Sequence, residues 1–293
     1  MITLSNNYKA FVMAAACIIG LGSCSNDDYL GGHYTTDGMG TLMNVKATIQ
    51  ASTNPSLAWT EGNIIGIATS YGQYDATAKN REYVCQADGT TFTCVSENPI
   101  YVKGNTDIVA YYPFTGADGA ETVLTLDTRD QDNITNYLLA KVEGVSPANG
   151  SQVNLVFDYA LSQLTMDIST LVGETITGYR LQGFSQVATI DPFTQELTYE
   201  TPEDLVGTGT NITNLTLKLI PQAVSADASI PPRLILIGST RSYSIDMSGV
   251  SLTAGVVSTA SIDVTDGIGN IEFVPGGGQW TDSGVGDNVT SSN

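Results

Sequence analysis

Met43-Asn44-Val45-Lys46-Ala47-Thr48-Ile49-Gln50 decides the fold class. Met43, Val45, Ala47 and Ile49 fall on one face of an extended chain, and Asn44, Lys46, Thr48 and Gln50 on the other. That period of two is the mark of a half-buried strand. Downstream, Ile64-Ile65-Gly66-Ile67-Ala68 reads as a buried strand and Tyr83 to Val95 as a hairpin around Asp88-Gly89. Asp107 to Phe114 is a strand stopped by Pro113, since proline removes a ladder donor. Glu121 to Asp127 alternates again, and Tyr137 to Val142 is a further apolar piece. In the second half Val153, Leu155 and Phe157 alternate with their neighbours, as do Leu164, Met166 and Ile168, then Leu215, Leu217 and Leu219. Leu234-Ile235-Leu236-Ile237 reads as a short strand buried on both faces. Tyr243, Ile245 and Met247, then Ala260, Ile262 and Val264, complete the series before Asn270 to Val274. Runs spaced by about ten residues with Gly, Asn and Pro between them predict an all-β chain of β-sandwich type. Helical period is confined to short pieces near Ala160 and Glu203. Ser146 to Ser151 is the best linker, which sets expected domains at 41–148 and 149–293.

Upstream of the first strand, Tyr29 to Gly40 holds four glycines in twelve residues without an apolar period, as expected of a flexible tether. It contains His33, the only histidine, which reads as a solvated side chain. Before it, Lys9 precedes the apolar run Ala10 to Gly20, shorter than the ~20 residues a spanning helix requires. A positive residue, a short apolar core and small residues at its end describe an export signal over residues 1–23. Its end, Leu21-Gly22-Ser23-Cys24, resembles a bacterial lipobox, in which Cys24 becomes the acylated N-terminus. Ser25-Asn26-Asp27-Asp28 is similar to the acidic tag that routes lipoproteins of Bacteroides-type bacteria to the outer face of the outer membrane. The expected mature protein is therefore surface-exposed, with residues 24–40 as its tether. Its anchorage rests on several acyl chains, since one alone binds reversibly.

Loss of residues 1–23 removes one Lys and no acid, taking the formal charge from −19 to −20. Such an acidic balance repels nucleic acid and anionic lipid. Of the four cysteines, Cys17 leaves with the signal and Cys24 carries lipid, so Cys85 and Cys94 remain. If the hairpin loop is Asp88 to Thr91, Ala87 pairs with Phe92 and Cys85 falls opposite Cys94. A disulfide then fits the exported compartment, and two buried free thiols are the alternative.

The chemistry-bearing clusters are few. With one histidine, no His-dependent triad or histidine zinc site can be assembled. The acidic loop Asp127-Thr128-Arg129-Asp130-Gln131-Asp132-Asn133 offers oxygen ligands but lacks the Asp-x-Asp-x-Asp-Gly order and distal Glu of a calcium loop, so a solvated loop is the better reading. Gly276 to Gly278 does not stand between a strand and a helix and fits a hinge better than a phosphate cradle. Trp59 and Trp280 could stack on a sugar, but a core or inter-subunit anchor is the more ordinary role. No catalytic residue, metal or cofactor is assigned.

Several pieces taken in order resemble the fimbrillin family of Bacteroides-type surface lipoproteins. They are Trp59-x-x-Gly62-Asn63-x-Ile65-Gly66, Asn98-Pro99-Ile100-Tyr101, Tyr111-Tyr112-Pro113-Phe114 and Asp132 to Ala140. In the second half they are Val153 to Ile168, Leu219-Ile220-Pro221-Gln222 and Leu252-x-Ala254-Gly255. The resemblance implies two tandem β-sandwich domains of transthyretin-like, Greek-key type, and a non-enzymatic fimbrial (pilus) subunit or relative in adhesion. It also implies assembly with other fimbrial subunits by β-strand addition. Val45, Ala47 and Ile49 would lie on a first strand that fills its own groove, and Ile271 and Phe273 on a C-terminal donor. Two departures stand out: Tyr159 replaces a His after the Phe-x strand end, and Ala51 to Ala58 lacks the Arg at which polymerising members are cleaved. The expected role is an anchor or minor subunit that keeps its first strand. The alternative is a glycan-binding surface lipoprotein, with exposed aromatics at one end of a sandwich.

Overall fold

The computed structural model describes residues 40–50, 58–70, 79–97, 99–102, 104–120, 123–149, 152–170, 172–226, 228–265, 269–276 and 280. Its strands are where alternating runs allow one apolar face. In chain order they are β1 (Thr41–Leu42), β2 (Asn44–Ile49), β3 (Ile64–Thr69), β4 (Arg81–Cys85), β5 (Thr91–Cys94), β6 (Tyr101–Val102) and β7 (Thr106–Tyr112). Next come β8 (Leu124–Asp127), β9 (Leu138–Val145), β10 (Gln152–Tyr159), β11 (Ser162–Ser169), β12 (Ile176–Gln182), β13 (Val187–Ile190) and β14 (Leu197–Tyr199). The last six are β15 (Leu205–Thr208), β16 (Asn214–Leu219), β17 (Arg233–Gly238), β18 (Ser242–Asp246), β19 (Val257–Asp263) and β20 (Asn270–Val274). No α-helix occurs among the described residues. The expected helical pieces are instead a bend at Ala160 and the coil leading into β15.

Two cores organise these strands. The first is enclosed by a barrel in the order β10-β2-β5-β4-β3-β7-β9, closed because β10 pairs with β2 on one side and with β9 on the other. The β10–β2 pair is parallel, so these strands come together only through a long connection, whereas the other six pairings of the barrel are antiparallel. The second core lies between two four-stranded sheets, β16-β11-β19-β20 and β15-β12-β17-β18, whose inner faces supply one apolar cluster. That arrangement is a β-sandwich. A third sheet, β14-β13-β8, joins both halves of the chain and places Leu124, Leu126, Ala188 and Ile190 on the first core.

The strand that follows position 149, β10, belongs to the barrel, and the chain passes from the first core into the second between Leu161 and Leu164, with Ala188, Ile190, Ile220, Val257 and Trp280 returning to the first. The linker-like Ser146 to Ser151 contains a short 3-10 turn, Pro147–Asn149, between barrel strands β9 and β10. Leu234 and Leu236 are fully buried, but Ile237 is 39% exposed, so β17 has one inner face and one outer face. Its run of four apolar residues hid the alternation.

Two glycines show how aromatic rings set local sequence. A Cβ on Gly66 would lie 2.3 Å from Cε1 of Tyr111, which lies across β3 from the paired strand β7. A Cβ on Gly207 would lie at the same 2.3 Å from Cε1 of Tyr179, its registered partner. Each ring covers a glycine that no larger residue can replace without displacing it.

Candidate strand-exchange site

The residues expected to exchange do not lie together. Val45, Ala47 and Ile49 point into the barrel and are buried, while Asn44, Lys46 and Thr48 are exposed. β2 is registered with β10 over six positions, from Asn44↔Gln152 to Ile49↔Phe157. On its other side it meets β5 at Val45↔Phe92 and Lys46↔Thr91, with Ala47 N donating to Thr90 O at 2.9 Å. The backbone at Lys46 is therefore held between two strands. The flanks are tied as well: Met43 N donates to Ile100 O at 2.9 Å, and Gln50 N to Phe157 O at 2.8 Å.

Ile271 and Phe273 belong to a different environment. They share the inner face of β20 and are half-buried against the second core, while Asn270, Glu272 and Val274 are exposed. β20 is registered with β19 from Thr259↔Val274 to Asp263↔Asn270, and has no strand partner on its outer edge among the described residues. An open edge of this kind offers a row of backbone donors and acceptors. The opposite edge of the same sheet, β16, is partly closed by a side chain. Gln131 Oε1 accepts from Lys218 N at 3.0 Å, and Gln131 Nε2 donates to Lys218 O at 2.9 Å, so one amide reproduces a strand pairing. Gln222 does the same for Ser185, at 2.9 and 3.0 Å. Gln222 stood in one of the stretches that carry the resemblance and Gln131 in the acidic loop, but neither pairing was legible, because the partner lies 37 or 87 positions away.

The acidic loop is thus a docking segment. Arg129 forms a forked ion pair with Asp127, its Nη2 lying 2.6 Å from Oδ2, and this hydrogen bonding holds the Asp127 carboxyl below its usual range. Asp130 accepts from Asn133 N at 3.2 Å. No cluster of three or more His, Cys, Asp or Glu with metal-binding geometry exists among the described residues.

Both tryptophans are buried. Trp59 meets Phe157, Phe92 and Tyr112 edge-on, with ring centroids 5.0, 5.3 and 5.5 Å away. It is set there by a turn in which Asn63 Oδ1 accepts from Thr60 N at 2.8 Å and Cys85 N donates to Asn63 O at 2.9 Å. Trp280 stacks on Tyr159 at 4.1 Å and 14°, and its Nε1 donates to Gly255 O at 3.0 Å. No sugar platform can be made from these rings. Among the described residues Tyr199 is the one aromatic with an exposed ring, and its hydroxyl donates to Pro221 O.

The cysteine expectation requires correction. β4 and β5 pair Cys85 with Phe92 and Tyr83 with Cys94, two positions from the expected register, and both thiols are free. The cause is the turn: Asp88 Oδ1 accepts from Thr90 N and Thr91 N at 2.9 and 2.7 Å, and Gln86 N donates to Thr91 O, so the loop closes on Ala87 to Thr90. The cysteines are diagonal neighbours, farther apart than a directly opposed pair. Burial, then the Asp88 and Glu61 charges, raise the Cys85 thiol above its ordinary value. Cys24, the tether and His33 lie outside the described residues.

A family model described as fimbrillin-like matches residues 47–278. No curated protein matches the chain in sequence. Among solved structures, a Bacteroides uniformis protein assigned to cell adhesion superposes with a TM-score of 0.58 at 22% identity, over 84% of this chain and 100% of that one. A Bacteroides ovatus protein assigned to cell adhesion superposes with a TM-score of 0.59 at 18% identity, over 83% and 99%. The tip fimbrial protein Mfa3 from Porphyromonas gingivalis, with a C-terminal truncation, gives 0.51 at 9% identity, over 82% and 99%. At these identities the likeness is one of fold.

Proposed function

This chain belongs to the fimbrillin-like family, and we propose that it works as a surface-exposed, lipid-anchored fimbrial subunit of the outer membrane that joins other subunits by strand addition. The family supports a structural, non-enzymatic role at the cell surface in adhesion. In this reading Cys24 carries the lipid, β2 stays in its own barrel, and β20 is the strand offered to a neighbour. Strand addition draws affinity from main-chain hydrogen bonds and register from alternate side chains, and β20 has the apolar pair Ile271 and Phe273 and, among the described residues, an unpaired outer edge.

The observation that favours an anchor or minor subunit over a stalk repeat is the enclosure of β2. Lys46 is held by backbone pairing on both sides, and no Lys or Arg lies between it and Lys79. A basic-residue protease therefore has no open cleavage point next to this strand. Sequencing the N-terminus of subunits sheared from cells, beside an unheated gel of the same extract, tests the assignment. A blocked N-terminus is expected, from acylated Cys24, on a protein found at the base of polymers or as a single band. Polymeric material starting between Lys46 and Trp59 would overturn it.

A further inference from the structure

The C-terminal segment touches both cores, and it is held unevenly. Among the described residues β20 pairs with one strand, β19, and its inward residues Ile271 and Phe273 are only half-buried. A strand paired on one side with shallow packing opens at low free energy. Beyond it Trp280 is 4% exposed and belongs to the barrel's core rather than to the sandwich's. Its socket is assembled from separate parts of the chain. Tyr159 ends β10, and Gly255 precedes β19 and is fixed by its own N–H to Leu161 O at 2.8 Å. Stacking on Tyr159 and the hydrogen bond to Gly255 O give the indole both a face and a direction.

We propose that Trp280 is a releasable latch for β20: while the indole sits in the Tyr159–Gly255 socket the strand stays on its own subunit, and when it leaves the strand is free. Beside the ladder to β19, burial of an indole outweighs the apolar burial of two half-buried residues on an edge strand, so most of the apolar hold on the segment lies in a residue outside β20. Tyr159 and Gly255 lie on elements of the barrel and sandwich that remain when the segment departs. The same socket can therefore receive Trp280 of a second copy, as in any exchange of an identical element. The consequence for assembly rests on the strand-addition reading above. The latch itself does not.

Hydrogen exchange on the full mature chain and its Trp280→Ala and Trp280→Phe variants tests the latch. In Trp280→Ala the β20 amides bonded to β19 should exchange roughly 10- to 100-fold faster, with β11 and β17 unchanged and Trp280→Phe in between. Unchanged β20 exchange overturns the proposal. Equal acceleration in β11 and β17 overturns it too, because Trp280 would then be an ordinary core residue. Size-exclusion chromatography of each variant mixed with wild-type chain reads the second consequence. Faster β20 exchange with no gain in oligomer leaves the latch standing and refutes β20 as donor.

Discussion

Replacing Trp59 separates a core packing residue from a ligand platform. Truncating a buried aromatic to alanine typically costs about 3–5 kcal/mol through lost transfer and the cavity left behind. Trp59 is 4% exposed and makes edge-on contacts with three rings, each worth about 0.5–1.5 kcal/mol beyond burial. Trp59→Ala should therefore fall at the upper end, about 4–5 kcal/mol. Trp59→Phe should cost less, about 1–2 kcal/mol, within the range of ordinary core substitutions. It keeps a ring in place, and among the described residues the buried Nε1–H that it removes has no hydrogen-bond partner, so the loss is mainly one of ring volume. At about 2–4 °C per kcal/mol for a domain of this size, Trp59→Ala should lower Tm by roughly 8–20 °C. Thermal and urea unfolding followed by circular dichroism measure both variants. A loss below about 1 kcal/mol for Trp59→Ala, or equal losses for the two variants, would refute the packing argument. A glycan platform predicts the opposite, unchanged stability with lost ligand.

The remaining predictions concern the thiols and one carboxylate. Non-reducing peptide mass spectrometry of the oxidised, exported protein should find Cys85 and Cys94 both unbridged; iodoacetamide should label Cys94 in the folded chain and Cys85 only after unfolding, and a recovered 85–94 cross-link would contradict the register. Glu174 accepts from Ser239 Oγ at 2.9 Å, Thr240 N at 3.0 Å, the Thr240 hydroxyl and Tyr243 OH at 3.2 Å, so it clamps the β17–β18 turn. These bonds, those from Thr240 foremost, lower its pKa from 4.5 to about 2. A folded pKa below the unfolded one stabilises fully above the unfolded value, and the contribution drains away as pH falls from about 4.5 toward 2. Glu174→Gln should lower Tm at pH 6 and flatten its fall between pH 4.5 and 2; an unchanged acid limb would show that the clamp contributes nothing.

Residues 43–50 and 153–159 were legible because each strand there has one wet and one dry face, and period two survives in the sequence. The stretch from Ile176 to Thr208 was not. β12 carries a bulge between Ile176 and Gly178 that breaks its alternation, and β14 and β15 are three and four residues long. The division of the chain was legible only as a linker composition. Ser146 to Ser151 has the residues of a boundary, but the pairing of β10 with β2 spans about a hundred positions and leaves no local trace. The hairpin at Asp88-Gly89 was legible as a hairpin, whereas its register was not. Asp88 draws in both Thr90 and Thr91, which moves the turn by one residue and the two cysteines out of opposition.

The same distinction runs through the candidate site. Alternation put Val45, Ala47 and Ile49 on one face of β2, where all three are buried, and Ile271 and Phe273 on one face of β20, where both are half-buried. It cannot say what lies beside a strand, and that decides which strand can leave. β2 has partners on both sides in a closed barrel, so removing it breaks two ladders and uncovers Val45, Ala47 and Ile49 together. β20 has one ladder, with two half-buried residues and a single indole beyond it. Opening the second costs fewer hydrogen bonds and less apolar exposure than opening the first. The ease of opening thus follows how many strands each one pairs with, two for β2 and one for β20 among the described residues, rather than how apolar it is.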